Sequence, residues 1–440
     1  MPVTFRGGID PENNKERTCA SPTVTVDAPE YLVLPLRQHA GTPCVPLVKA
    51  GDAVLMGQKI ADCDAEDGCP IFSPVSGTVR SLSREWHPTG GREWSIVLKN
   101  DWEDRPDSSC VPYEGIPEAL SPGEILELAR EAGITDPGET TLPLHTRLRR
   151  ACATKTEILL INGMECEPFV TADHRAMVEY PNMILSGIRL VMQCVQPQEV
   201  YIAVGDDKPD AVATMNSVCE NTDIHVLALR ARYPQGSTYP LIEAVTRREL
   251  PPGTLPEEIG CLILNVDSCA SLYRKLAKGR PVIRRVITVS GPAVVNPKNL
   301  LVRIGTRYAD VFEHCGGFMD MPSRVIAGGP MRGTAQHSLA APVLPDTAAL
   351  LAFSEEEKSS SETCIRCGEC LRVCPMRLMP NDLYRYACDG EYERCRRLHV
   401  QDCIECGCCS YACPGHLQLM QAIRTANVHL TKKSGERSMR

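Results

Sequence analysis

The sequence predicts a multidomain α+β chain: a β-rich module, an α/β middle domain, a small α+β module and a cysteine-rich helical domain at the C-terminus. Three observations lead to this reading. The 440 residues are 43% hydrophobic and 23% charged, enough for about two to four domain cores, and the 35 prolines and 32 glycines favour compact modules over one long-helix bundle. The hydrophobic period changes along the chain, from short strands between turns to strands alternating with helices. Cysteine is crowded at one end, with eleven of the 23 lying between Cys364 and Cys413. Lys plus Arg number 47 against 55 Asp plus Glu, a formal charge of −8 that argues against a general nucleic-acid binder.

Within Val24 to Asn100, Tyr31–Leu34, Val45–Val48, Gly51–Val54 and Ser76–Val79 read as strands. The segments Val48–Asp52, Gly57–Gln58 and Ser73–Val79 resemble the hammerhead, barrel-sandwich fold of biotinyl and lipoyl carriers, although no carrier lysine is present. From Pro117 to Leu229, Glu124–Arg130 and Met177–Cys194 have helical periodicity and another helix starts near Pro209. Glu157–Ile161, Val200–Gly205 and Ile224–Leu229 are strand candidates, so the alternation predicts a parallel sheet covered by helices. Arg284–Gly291 and Leu300–Gly305 are strand-like and precede a short helix. The polar stretch Ser354–Glu362 reads as a linker, Asp382–Leu398 and Leu417–Asn427 as helices, and 431–440 as a flexible tail. No run approaches the ~18–20 apolar residues of a membrane span. Met1–Gly8 lacks the basic and apolar regions of a secretory signal, so the thiols are expected in a reducing cytoplasm.

The cysteine runs carry the chemistry. Cys364-x2-Cys367-x2-Cys370-x3-Cys374-Pro375 recurs as Cys403-x2-Cys406-x2-Cys409-x3-Cys413-Pro414, the spacing of bacterial ferredoxins, in which the fourth cysteine of each run ligates the other cluster. One [4Fe-4S] cluster is therefore assigned to Cys364, Cys367, Cys370 and Cys413, and a second to Cys403, Cys406, Cys409 and Cys374. The competing reading is a pair of four-cysteine zinc sites, which has no use for a third equally spaced cysteine or for exchange between runs. Cys408 breaks the repeated spacing, Cys388 and Cys395 read as packing residues, and the twelve cysteines from Cys19 to Cys315 as small apolar side chains, with Cys63 and Cys69, and Cys166 between Glu165 and Glu167, the places to look for an additional metal. Two clusters in one domain imply a relay of single electrons.

From Thr4 to about Val428 the chain resembles the RnfC family, the C subunits of Rnf complexes, which are membrane-bound ion-pumping ferredoxin:acceptor oxidoreductases. The likeness rests on Phe5–Ile9, Leu36–Gly41, Asn162–Pro168, Thr171–Arg175, Tyr233–Gly236, Val302–Thr306 and Gly328–Met331 in order, with the two cysteine runs. That family is similar to the NADH-binding flavoprotein subunit of respiratory complex I. The resemblance implies a flavoprotein-like middle domain, a β-grasp ligand-binding module after it, and a flavin and nucleotide pocket involving Asn162, Glu165, Glu167, Asp173 and Tyr233. The pattern breaks where the family has Gly-x-Gly-Gly-x-Gly-Phe-Pro: this chain has Asp136-Pro137-Gly138-Glu139-Thr140-Thr141-Leu142-Pro143, and Thr238 replaces an acidic residue after Tyr233–Gly236. Side chains obstruct the close backbone approach that glycine gives a phosphate, so FMN and NADH binding are in doubt and a variant that does not use NAD is indicated.

The implied division is a barrel-sandwich-like domain at 1–115, a nucleotide and flavin-type domain with a degenerate glycine loop at 116–255, a β-grasp-like domain and connection at 256–353, a two-cluster ferredoxin-type helical domain at 354–430, and the tail. The implied protein is a peripheral subunit on the cytoplasmic face of the cell membrane. It would pass electrons among the other subunits of an Rnf-type complex, with ferredoxin or a ferredoxin-like subunit at one end, and would contact the membrane through partner subunits. Two alternatives accompany this reading: an FMN-containing NADH-reacting subunit of the same complex, and an assembly subunit whose clusters are structural.

Overall fold

The computed structural model describes residues 4–138, 141–354 and 363–438. Residues 355–362 of the predicted linker lie outside the described residues. Near the N-terminus, an antiparallel sheet in the order Tyr31–Pro35, Arg92–Asn100, Gly77–Trp86, Ala53–Val54 is accompanied by a three-stranded sheet of Val45–Pro46, Lys59–Asp62 and Ile71–Phe72. Alternate residues such as Leu32, Leu34, Ile96 and Leu98 are fully buried and share one apolar core with Ile60 and Val79, as strands with one face turned inward require.

The middle unit is a parallel sheet in the order Ile224–Leu229, Glu199–Gly205, Ile158–Gly163, Cys261–Asn265. Its helices are α1 (Pro122–Glu131), α2 (Leu144–Thr154), α3 (Ala172–Glu179), α4 (Pro181–Val195), α5 (Pro209–Cys219), α6 (Thr238–Thr246) and α7 (Val266–Lys278). Leu159, Ile161, Ile202 and Leu264 face one apolar layer with α1, α2, α4, α5 and α7, while Ile158, Leu160 and Ile263 face α6. This two-sided burial is the property of a parallel sheet. The helix expected over Met177–Cys194 is two helices, because Pro181 supplies no backbone N–H and disfavours helical geometry at Tyr180. The strand Cys261–Asn265 and α7 lie in this unit, which therefore reaches beyond residue 255. At the crossing of α4 and α7 a Cβ on Gly187 would come within 1.8 Å of the Cys269 carbonyl oxygen, so only glycine fits there.

A six-stranded sheet follows, in the order Val24–Thr25, Lys298–Arg303, Arg284–Ser290, Ala349–Phe353, Arg324–Ala327, Thr334–Ala335, with α8 (Tyr308–His314) against it. Its edge strand comes from the N-terminus, Val24 pairing with Leu300.

The last unit is helical: α9 (Glu369–Val373), α10 (Pro380–Cys388), α11 (Tyr392–Arg397), α12 (Cys408–Tyr411) and α13 (Leu419–Ser438). The single helix expected over Asp382–Leu398 is broken at Gly390, whose φ is 72°. Helix α13 continues into the segment expected to be a flexible tail, and buried Leu430 joins Leu383, Ile423 and Ala426 in the core that holds it. Among the described residues no helix is long and apolar enough to cross a membrane.

Candidate functional site

The two cysteine runs fold alike. Arg366 and Gly368 in the first run, and Glu405 and Gly407 at the matching positions of the second, all have positive φ, at 57°, 82°, 52° and 77°. Arg377 and His416, each three residues after the fourth cysteine, repeat the conformation at 54° and 49°. Non-glycine residues hold such angles only where their surroundings require it, and here the loops turn sharply enough for backbone N–H groups to face sulfur. The Glu405 N–H donates to Cys403 Sγ at 3.4 Å and the Leu378 N–H to Cys374 Sγ at 3.3 Å.

The turns bring residues from both runs together. Cys364, Cys367, Cys370 and Cys413 line one cavity of about 180 Å3 beside α9. Cys374, Cys403, Cys406 and Cys409, with Cys408 beside them, line a second of about 20 Å3, walled by apolar side chains that include Leu378, Ile404 and Ile423. The fourth cysteine of each run thus lies with the first three of the other. Cys364 and Cys367 are exposed, whereas Cys406 and Cys409 are buried. Burial pushes the Cys403 thiol up to about 12 and also raises Cys374 and Cys409. Among the described residues no three His, Cys, Asp or Glu side chains converge closely enough to clasp a single metal ion. That includes Cys63, Cys69 and Cys166. In the outer cup, four thiols around a void of this size suit a polynuclear group better than one zinc ion. The outer cup has room for such a group, and the inner cup is nearly closed, its Cys406 thiol hydrogen-bonded to Cys408. Of the two connecting cysteines, Cys395 packs in the core and Cys388 is exposed.

A larger cavity, of about 440 Å3, opens at the carboxyl ends of the parallel strands, the usual ligand position in such sheets. Asn162, Glu165, Glu167 and Asp173 line it. Tyr233 does not. Its ring is 1% exposed and packs with Ile9, Val373, Cys406 and Cys408, and its hydroxyl donates to the Cys406 carbonyl at 2.7 Å. The N-terminal segment is pinned beside it: Ile9 bridges to Tyr233, and the Gly8 N–H donates to the Val373 carbonyl at 2.8 Å. Tyr233 therefore packs behind Cys406 and Cys408 of the inner cysteine cup.

Backbone N–H groups around the cavity are taken by the chain's own carboxylates. Glu165 accepts from the Asp173 and His174 N–H groups at 2.6 and 3.2 Å, filling the start of α3. Glu167 accepts from the Met331 N–H at 3.0 Å. Asp136, which aligns with the first glycine of the missing loop, is 1% exposed in a short hairpin of Thr135–Asp136 with Leu142–Pro143. At the start of α7 its carboxylate accepts from the Asn265 N–H at 2.9 Å and the Ser268 hydroxyl at 2.6 Å, and pairs with Arg147. Arg147 also meets Glu257 at 3.2 Å. Helix starts are where a ligand phosphate would otherwise bind. Asp173 donates nothing at neutral pH unless protonated; burial and Glu165 push it up to about 7, while Asn265 Nδ2 donates to it at 2.7 Å. Five carboxylates line the cavity against three guanidinium groups, those of Arg147, Arg150 and Arg332. Sequence patterning does not reveal the Asp136, Arg147, Ser268 network, because its members lie far apart in the chain and Arg147 and Ser268 occupy ordinary helical positions.

Three family models match successive parts of the chain: an RnfC barrel sandwich hybrid domain at residues 3–103, a Nuo51 FMN-binding domain at 129–274 and an SLBB domain at 286–335. The chain is 37% identical over 390 residues to the C subunit of the proton-translocating ferredoxin:NAD(+) oxidoreductase complex of Clostridium ljungdahlii, covering 87% of this chain and 84% of that one. It is 36% identical over 426 residues to the C subunit of the Na(+)-translocating ferredoxin:NAD(+) oxidoreductase complex of Acetobacterium woodii, covering 96% of each. The C subunit of an ion-translocating oxidoreductase complex from Vibrio cholerae is 35% identical over 408 residues, 90% of this chain but 52% of that longer one. Among solved structures, a chain of an air-oxidised NAD+-reducing [NiFe]-hydrogenase shares the fold at a TM-score of 0.51 and 16% identity, over 72% of this chain and 68% of that one.

Proposed function

Because the chain belongs to the RnfC family of ion-translocating oxidoreductase subunits, we propose that it is an electron-relay subunit of such a complex, holding two [4Fe-4S] clusters in its C-terminal domain. The observation that carries this is the exchange of the fourth cysteine between two runs of matching backbone shape. Cys364, Cys367, Cys370 and Cys413 would hold the outer cluster, and Cys403, Cys406, Cys409 and Cys374 the inner one. Clusters of this kind accept and release single electrons. The chain's own part is to supply eight thiolates, turn backbone N–H groups toward sulfur, and keep water from the inner site with Leu378, Ile404 and Ile423. Partners are the other subunits of the complex, with ferredoxin or a ferredoxin-like subunit at one end. The protein sits at the cytoplasmic face of the membrane through those subunits.

The middle domain has the fold of an FMN-binding domain, but its residues do not fit a phosphate-bearing cofactor. Glu165 takes the N–H groups at the start of α3, and the buried Asp136 carboxylate stands beside the start of α7, which Asn265 Oδ1 caps by accepting from the Asp267 N–H at 2.8 Å, so both places put negative charge where a phosphate would need N–H donors. The reading is therefore a relay without a flavin of its own. Flavin extracted from anaerobically isolated protein should fall far below one per chain; stoichiometric FMN, with bleaching of the protein by NADH, would overturn the flavin-free reading and favour the NADH-reacting alternative.

A further inference from the structure

A second cavity, of about 310 Å3, lies between the middle unit and the six-stranded sheet, away from the cysteines. Its walls come from the ends of α3 and α7, the start of α4, and the strands Val24–Thr25 and Arg284–Ser290. In a chain of net charge −8 it is strongly cationic: Arg274, Lys278, Arg280 and Arg284 line it against one acid, Glu179. That acid is already neutralised, its Oε1 accepting from Arg175 Nε at 2.9 Å and from the Thr23 N–H at 2.8 Å. Arg284 has a distant carboxylate, Asp104 at 3.9 Å. Burial holds the Arg284 guanidinium below its ordinary range; Asp104 and, more weakly, Asp27 oppose this, and neighbouring Arg280 adds to it.

Two residues of the same wall carry a buried hydroxyl that is unsatisfied. Tyr180 Oη and Thr23 Oγ1 have no hydrogen-bond partner among the described residues. Buried polar groups without partners are costly and mark places where something else completes the site. Cations at the end of α7 also complement the helix dipole, but that role leaves both hydroxyls unexplained. The lining also includes the apolar side chains of Met183, Val282 and Leu301. Convergent polar groups on an otherwise apolar cavity at a domain junction are the usual form of a small-molecule site.

We propose that this cavity binds an organic phosphate ester, its phosphoryl oxygens held by Arg274, Lys278, Arg280 and Arg284 and by hydrogen bonds from Tyr180 and Thr23, with its apolar part against Met183 and Leu301. A soluble phosphate ester and a phospholipid headgroup share this chemistry. The test uses the full chain isolated anaerobically. Phenyl phosphate binding is measured by calorimetry, and in parallel the protein is floated with vesicles of phosphatidylglycerol or of phosphatidylcholine alone. Saturable phenyl phosphate binding should weaken at least tenfold in Arg280→Glu, an exposed position, and severalfold in Tyr180→Phe, which removes only the unpartnered hydroxyl. Flotation with phosphatidylglycerol that is lost in the same variants identifies a headgroup as the source, and phenyl phosphate binding without flotation identifies a soluble ester. Binding of neither probe, or binding unchanged in both variants, overturns the site.

Discussion

Asp136→Ala removes a carboxylate that three groups share. Arg147 loses its nearer partner, and the Asn265 N–H and Ser268 hydroxyl lose their acceptor in a site where Asp136 is 1% exposed. Breaking a buried ion pair from one side costs about 3–5 kcal/mol, and each unsatisfied buried donor about 1–3 kcal/mol. Arg147 keeps Glu257 at 3.2 Å and is 14% exposed, and the neighbouring cavity can admit water to the freed donors, so the total stays near about 4 kcal/mol. For a domain of this size that is roughly 8–16 °C in melting temperature, followed by far-UV circular dichroism. Ser268→Ala, which removes one donor and leaves the ion pair, should cost about 1 kcal/mol. A loss below about 1 kcal/mol for Asp136→Ala would refute the reasoning that this carboxylate anchors the hairpin to α7.

Asp173 is raised to about 7 from 3.8 by burial and Glu165, so the folded chain keeps a proton that the unfolded chain has lost. The resulting stability is fully present below about pH 4 and declines as pH rises through 7, by at most about 4 kcal/mol. Asp173→Asn should flatten that decline in thermal melts; an unchanged slope contradicts it. Cys413→Ser should damage the cluster held by Cys364, Cys367 and Cys370 and spare the inner one, seen as loss of one of two signals in the electron paramagnetic resonance spectrum of reduced protein. Loss of the inner signal alone would refute the exchanged ligands. Cys152 on α2 lies with its sulfur 3.8 Å from that of Cys194 on α4, whose thiol holds it below the ordinary thiol range. Iodoacetamide near neutral pH should therefore label Cys152 ahead of exposed Cys388, and Cys194→Ala should abolish the difference; equal rates in the unaltered protein would contradict the contact.

Strong local signals are legible in the sequence. Cysteine spacing points to two groups of four because that repeat is local and chemically restrictive, and the parallel strands are visible as short apolar runs. Tyr233 is misplaced by sequence because adjacency to Gly236 and Thr238, which do line the large cavity, does not reveal that its ring turns toward Cys406. The strand Cys261–Asn265 looks like any buried run until its pairing with Ile158–Asn162 is known, so sequence alone ends the middle unit too early. Val24–Thr25 joins a sheet nearly 300 residues away through its pairing with Leu300 and Leu301, a connection no local pattern encodes. The charged cavity is hidden for the same reason, since Thr23, Tyr180 and Arg280 meet only in the folded chain.

The central claim, a two-cluster relay, is tested most directly by the iron and acid-labile sulfide content of anaerobically isolated protein, with the spectrum of its dithionite-reduced form. About eight iron and eight sulfide per chain, reducible in two one-electron steps, is the expected result. Stoichiometric zinc without iron, or iron that cannot be reduced, would contradict it.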